Sequence, residues 1–294
     1  MTTDRAPVVV GVDGSPAGDR ALRYATSEAA LRNVPLRVVS AYAWPPNLSL
    51  VPTYNADPSA DVAELGKVAD RIILQSIAQV TAIAPDIEVD GAAIEGRTPA
   101  VLVAESERAR LLIVGSRQLH AVGSFILGSI GDAAVTHAVC PVVITRGYDD
   151  PLDREGAIVV GIDYGDSSEA VLEFAFEEAA LHRVPVRVVL CWHPDLGTSW
   201  RMLRQVAAEA RVRAEVWLSN ELAGWQQKHS DVVVESMLVD DHPVAGLIAV
   251  SLDERLLVVG SRGRNALAET LLGSVSRGVL HHAACPVAVV HIRD

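Results

Sequence analysis

Two kinds of position in the 294-residue sequence carry residue types that could do chemistry. The first is Gly260-Ser261-Arg262-Gly263, followed after nine residues by Gly273-Ser274-Val275-Ser276 at the start of a helical pattern. Glycines let a backbone bend and approach a ligand closely, while the N–H groups and positive dipole end of a helix N-terminus favour negative charge. Gly273, Ser274 and Ser276 therefore suit a phosphate cradle that uses no lysine. The same spacing also suits plain strand-to-helix turns at Gly260 and Gly273, with Ser274 as an N-cap. The second kind is an acid closing an aliphatic run: Asp13 after Val8-Val9-Val10-Gly11-Val12, and Asp163 after Val159-Val160-Gly161-Ile162.

Other reactive side chains have plainer readings. Arg117 and Arg262 lie where a bidentate phosphate bond is in reach, or else extend into water. Cys140 and Cys285 each precede Pro at the start of an aliphatic run and read as small buried hydrophobes. His137, His281 and His282 lack metal-ligand spacing, and Asp240-Asp241-His242 before Pro243 reads as helix capping. Rival nucleotide signatures are absent. Gly66-Lys67 is followed by Val68 with Asp61 in place of the first P-loop glycine, and no G-x-G-x-x-G follows either opening strand. No nucleophile elbow accompanies a triad, so no catalytic residue is assigned.

The elements that must position these groups occur twice. Gly11–Val39 aligns with Gly161–Val189 at an offset of 150, with 13 identities in 29 positions, and Leu111–Ile144 aligns with Leu256–Val289 at an offset of 145. A period this long is duplication of a whole domain, not a solenoid repeat. The domains are expected at residues 1–147 and 157–294, joined by the polar stretch 147–156. In the first copy strands are expected at Val8–Val12, Leu36–Ala41, Ile87–Ile94, Leu111–Val114 and Val142–Ile144. Ser15-Pro16 opens a helix ending near Leu31, and Val62, Leu65, Ala69, Ile72, Ile73, Ile77 and Val80 recur at helical steps. Alternating strands and helices with continuous aliphatic strands predict an α/β fold. Each of the two tandem Rossmann-like domains is a five-stranded parallel sheet, order 3-2-1-4-5, with helices on both faces. Ligands of such sheets sit beyond the carboxyl ends of the strands.

Half of the residues are hydrophobic and only 4% aromatic, as suits aliphatic cores. A net charge of −12 opposes binding to nucleic acid or an anionic membrane surface. No apolar stretch reaches the ~18 residues of a membrane span, and the N-terminus does not read as a signal peptide. With three cysteines and no C-x-x-C, a reduced cytoplasm is the expected location.

The spacing Gly260-x-x-Gly263-x9-Gly273-Ser274, in a domain opening Gly161-Ile162-Asp163, resembles the ATP-binding signature of the universal stress protein family. The likeness covers both halves, as in tandem two-domain members. It implies ATP over the strand ends, with Asp163 on the ribose or metal side and the backbone near Cys191 meeting adenine. Gly260, Arg262, Gly263, Gly273, Ser274, Val275 and Ser276 would line the phosphates. Asp13, Ala41, Gly115, Gly128, Ser129 and Ile130 are the first-half counterparts. Mg²⁺ bridging the phosphates near Asp13 and Asp163 would offset the protein's negative charge. The first half has Gln118 and Gly131 where the second has Gly263 and Ser276, and the second has Tyr164 where the first has Gly14. Unequal sites are therefore expected, the second binding more tightly. The implied role is a nucleotide-dependent regulator or sensor in the stress response. Its alternatives are an interaction scaffold with vestigial sites, or a slow ATPase. Val-rich fifth strands at sheet edges also predict pairing, within a chain or as a homodimer.

Overall fold

A computed structural model of the chain describes residues 5–43, 58–118, 125–126, 128–146, 155–164, 168–192, 200–262 and 272–291. Two units separate: Met1–Val122 with Ile126–Leu152, and Gly123–Phe125 with Asp153–Asp294. The strands are β1 (Val8–Gly11), β2 (Leu36–Tyr42), β3 (Val89–Glu95), β4 (Leu111–Gly115), the two-residue β5 (Arg117–Gln118) and β6 (Phe125–Ile126), and β7 (Val142–Thr145). Then follow β8 (Ile158–Ile162), β9 (Val186–Cys191), β10 (Val234–Val239), β11 (Leu256–Gly260) and β12 (Val287–Val290).

The first unit's sheet runs β3-β2-β1-β4-β7 and the second unit's β10-β9-β8-β11-β12, all parallel. Counted within each unit, both orders are 3-2-1-4-5, as the alternation of elements predicts. Val8, Val10, Leu112 and Ile113 are fully buried, as are Ile158, Val160, Leu257 and Val258. Strands whose two faces are both covered need apolar residues at every position, which is why they read as runs.

The helices are α1 (Pro16–Arg32), α2 (Pro58–Ile83), α3 (Thr98–Ser106) and α4 (Ser129–His137), then α5 (Glu169–His182), α6 (Trp200–Lys228), α7 (Pro243–Val250) and α8 (Ser274–His282). Ser15 caps α1, its Oγ accepting from Gly18 N–H at 3.2 Å, with Pro16 in the first turn. In the first unit α1 contacts α2, and α3 contacts α4. Right-handed crossovers place the two pairs on opposite faces, because the strand order reverses between β1 and β4. That reversal opens a crevice at the carboxyl ends of β1 and β4, and likewise of β8 and β11.

At the other edge of each sheet an arginine draws two acids together. Arg37 of β2 donates from Nη2 to Glu105 at 3.1 Å and also pairs with Asp90. Arg187 of β9 pairs with Glu235 at 2.8 Å and with Glu254, which also accepts from Ala157 N–H at 2.5 Å. In each unit the arginine thus joins its strand to an acid of the neighbouring strand and to an acid on the segment that leads to the fourth strand.

Candidate functional site

In the first unit Asp13 follows β1 at the carboxyl edge. Its Oδ1 accepts from Ser15 N–H at 3.1 Å and from the Ser15 hydroxyl, so the acid and the cap of α1 form one turn. Gly14 between them has φ +71°, a conformation that favours glycine. A Cβ there would stand 3.3 Å from Ile72 of α2. Ala41 lies at the same edge, near the end of β2, paired with Ile94.

The two glycines of the first unit's loop differ in what they do. A Cβ on Gly115, the last residue of β4, would lie 2.3 Å from the Ala17 carbonyl oxygen, so the bare backbone is what lets α1 close over β4. A Cβ on Gly128 would meet nothing within 4 Å among the described residues. Gly128 is the exposed N-cap of α4, and no side chain caps that helix, so Ser129 and Ile130 open onto the edge without a capping partner. Packing explains the glycine at 115, and no packing contact among the described residues explains the one at 128.

The second unit repeats the framework. Gly273 is the N-cap of α8, again without a side-chain cap, so Ser274 is the first helical residue and not the N-cap. Gly273 N–H donates to the Ser261 carbonyl at 2.7 Å, and Ser261 N–H to the Val290 carbonyl at 2.7 Å. These bonds close the base of the glycine loop onto β11 and β12. In the first unit Ser116 N–H likewise donates to Thr145, but the Ser116 carbonyl is approached by Arg20 Nη2 at 3.5 Å. Ala170 stands at that place in the second copy.

Two expectations need correction. Ser276 is buried, and its hydroxyl donates to the Gly260 carbonyl at 2.5 Å. It stitches α8 to β11 and does not face a phosphate. Gln118 lies in the two-residue strand β5. Asp241 does not cap α7: the N-cap is His242, whose own N–H donates to Asp241 Oδ1 at 2.6 Å. Gly263 lies outside the described residues.

Asp163, Cys191 and Asp241 converge at the carboxyl edge of β8 and β9. Burial, then the Asp241 and Asp163 carboxylates, push the Cys191 thiol up to about 11. Its Sγ lies 3.8 Å from the Pro243 carbonyl, which it contacts as donor. Cys191 is thus a neutral, partly buried group paired in register with Val239. Arg262 follows the buried Ser261 and is part-buried, while Val275 sits in the first turn of α8.

Tyr164 follows Asp163 and packs on Trp217 of α6, ring centroids 5.0 Å apart and planes 51° from parallel. Sequence patterning treats position 217 as one more helical apolar residue. Only its alignment with Ile72 at the offset of 145 marks it as the partner of the residue after the acid. Arg20 gave no signal, since an arginine within a helix reads as solvated.

The universal stress protein family model matches residues 5–146 and again residues 156–291. A universal stress protein of Mycobacterium tuberculosis is 32% identical over 290 residues, covering 96% of each chain. A second from the same species is 30% identical over 286 residues, 96% of this chain and 95% of that one. Among solved structures, a universal stress protein from Archaeoglobus fulgidus superposes with a TM-score of 0.71 at 18% identity over 98% of both chains. A putative universal stress protein from Pseudomonas aeruginosa gives 0.66 at 16% identity, over 98% of this chain and 94% of that one.

Proposed function

The chain belongs to the universal stress protein family, and from that premise we propose that it is a cytoplasmic, ATP-binding regulator whose two sites lie at the carboxyl edges of its two sheets. The observation that carries this reading is the uncapped start of α8, with Gly273 drawn onto Ser261 at the end of β11. Unsatisfied N–H groups and the helix dipole together form a receptor for phosphate oxygens. Ser274 and Val275 supply backbone N–H groups there, Gly260 lets the loop turn, and Arg262 is near enough in sequence to add a guanidinium.

Asp163 and Asp13 sit one at each site. One carboxylate plus substrate phosphates is the usual donor set for Mg²⁺, which keeps several waters, so the residues present fit that ion. When bound, Mg²⁺ would neutralise phosphate charge beside these acids. The backbone beside Cys191 and Ala41 is placed for the adenine.

The sites are unequal in this reading. The second has the loop base closed by Gly273 and Ser261, while the first has Arg20 at the equivalent carbonyl. Mass spectrometry of ligand released from freshly purified, denatured protein tests the nucleotide itself. Calorimetric titration should give one tight and one weaker ATP, the tight event lost in Gly273→Glu and weakened by a chelator. Absence of any ATP binding overturns the reading and leaves the scaffold alternative, which Gly115 favours in the first unit because packing alone explains that glycine. Assembly through β7 and β12, the Val-rich fifth strands, is the remaining part of the proposal. Charged substitutions at Val143 or Val289 should disrupt it in sedimentation experiments.

A further inference from the structure

The residue after the acid and its helical neighbour change together between the two copies. In the first unit they are Gly14 and Ile72, and a Cβ on Gly14 would lie 3.3 Å from the isoleucine. In the second they are Tyr164 and Trp217, in ring contact at 5.0 Å. The offsets of 150 and 145 that align the copies also align these two pairs. The exchange leaves an aromatic ring 37% exposed at the carboxyl edge of β8, immediately after Asp163 and braced from behind by a second ring.

A braced, part-exposed aromatic has a flat face at low conformational cost, and every nucleobase presents a π face to such a surface. We infer that Tyr164, backed by Trp217, is the base-stacking wall of the second unit's site, an element the first unit lacks. This deepens the ATP reading and rests on it. Gly14 and Ile72 offer no ring, so the first unit has no stacking face for the base and must hold its ligand through the backbone beside Ala41 and its phosphate and ribose contacts. The second unit should accordingly retain adenosine without phosphates, and the first should not.

The test titrates the full chain with ATP, adenosine and inorganic tripolyphosphate. Hydrogen exchange over residues 256–262 and 272–282 reports occupancy of the second unit. Tyr164→Ala should weaken ATP and adenosine binding there by about 5- to 150-fold and leave tripolyphosphate unchanged. Tyr164→Phe should bind like the unmodified chain, and Trp217→Ile, which copies the first unit, should weaken adenosine as well. Equal loss of tripolyphosphate would overturn the inference, because it would mean a packing role only. Full adenosine affinity in Tyr164→Ala would overturn it too. If the unmodified chain shows no ATP protection, the nucleotide reading fails and takes this inference with it. ATP protection that Tyr164→Ala leaves intact refutes the stacking wall alone.

Discussion

Gly115→Ala and Gly128→Ala are the same chemical change at the two ends of one loop, and the structure predicts opposite consequences. At Gly115 the new methyl would sit 2.3 Å from the Ala17 carbonyl oxygen and 2.6 Å from its carbon. Backbone cannot rotate away as a side-chain tip can, so α1 and β4 must separate by roughly 0.7 Å before the contact reaches even 3.0 Å. That shift would loosen a helix whose inner face, including Ala21, Leu22 and Ala25, is fully buried. Overpacking of this kind costs about 1–3 kcal/mol, and the upper end applies because the obstacle is main chain. For a unit of this size about 3 kcal/mol lowers Tm by about 6–12 °C. At Gly128 the methyl meets nothing among the described residues, and φ −65°, ψ 166° is open to alanine, so stability should stay within about 0.5 kcal/mol. Thermal and denaturant unfolding of both variants, with ATP titration of each, gives the comparison. Gly128→Ala should keep its Tm while ATP binding to the first unit weakens. Equal Tm values for the two variants would refute the assignment of Gly115 to packing, and unchanged ATP binding in Gly128→Ala would refute that of Gly128 to a ligand.

Cys191, with its thiol near 11 against an ordinary 9.0, should be alkylated at pH 8 about 100-fold more slowly than free cysteine, and faster in Asp241→Asn. The sign follows from a raised acid: the associated stability is whole below about pH 9 and is lost as pH rises through about 11. Alkylation at the free-cysteine rate would contradict this. Arg183 ends α5 at φ 56° where the first unit has Asn33 at φ 51°, so Arg183→Asn should raise stability by about 0.5 kcal/mol in denaturant unfolding. Ser276→Ala should cost about 1–2 kcal/mol by leaving the Gly260 carbonyl without its partner, and should alter ATP affinity only slightly if the hydroxyl faces inward.

The framework was legible because it follows from periodicity. Runs such as Val8-Val9-Val10 and Leu256-Leu257-Val258-Val259 have no other use than strands covered on both faces, and Ser15-Pro16 places a helix start to the residue. The site was legible only as a location. Spacing identified Gly115 and Gly128 as loop ends but could not say which is bare for α1 and which for a ligand, since that depends on a backbone contact 98 residues away in sequence. Ser276 misled for a similar reason. As the third residue of α8 it turns toward β11, and a hydroxyl in a glycine-rich stretch looks the same on paper whether it points in or out.

The two copies diverge in a patterned way that bears on function. At the amino-terminal edges Arg37 with Asp90 and Glu105 has its counterpart in Arg187 with Glu235 and Glu254, even though the second helix-side acid comes from beyond α7 instead of from within α3. An interaction rebuilt from a different position in the chain points to a requirement of the fold, that the strand edge be neutralised. At the carboxyl edges the paired positions differ outright: Gly14 and Tyr164, Ile72 and Trp217, Arg20 and Ala170, Gly131 and Ser276. None of these exchanges alters the strand order, since both sheets keep 3-2-1-4-5. Each alters what a ligand would meet, or how the loop beneath it is held: a ring or an open turn, an arginine on the loop carbonyl or a glycine N–H. Duplication that keeps the strand order while exchanging these carboxyl-edge residues is the outcome expected if two equivalent folds carry two inequivalent sites. On this argument a chain restoring Gly14-like and Ile72-like residues in the second unit, Tyr164→Gly with Trp217→Ile, should keep its stability to within about 1 kcal/mol while its two ATP affinities move toward each other. Widely separated affinities in that chain would show that the asymmetry resides in the glycine loops instead.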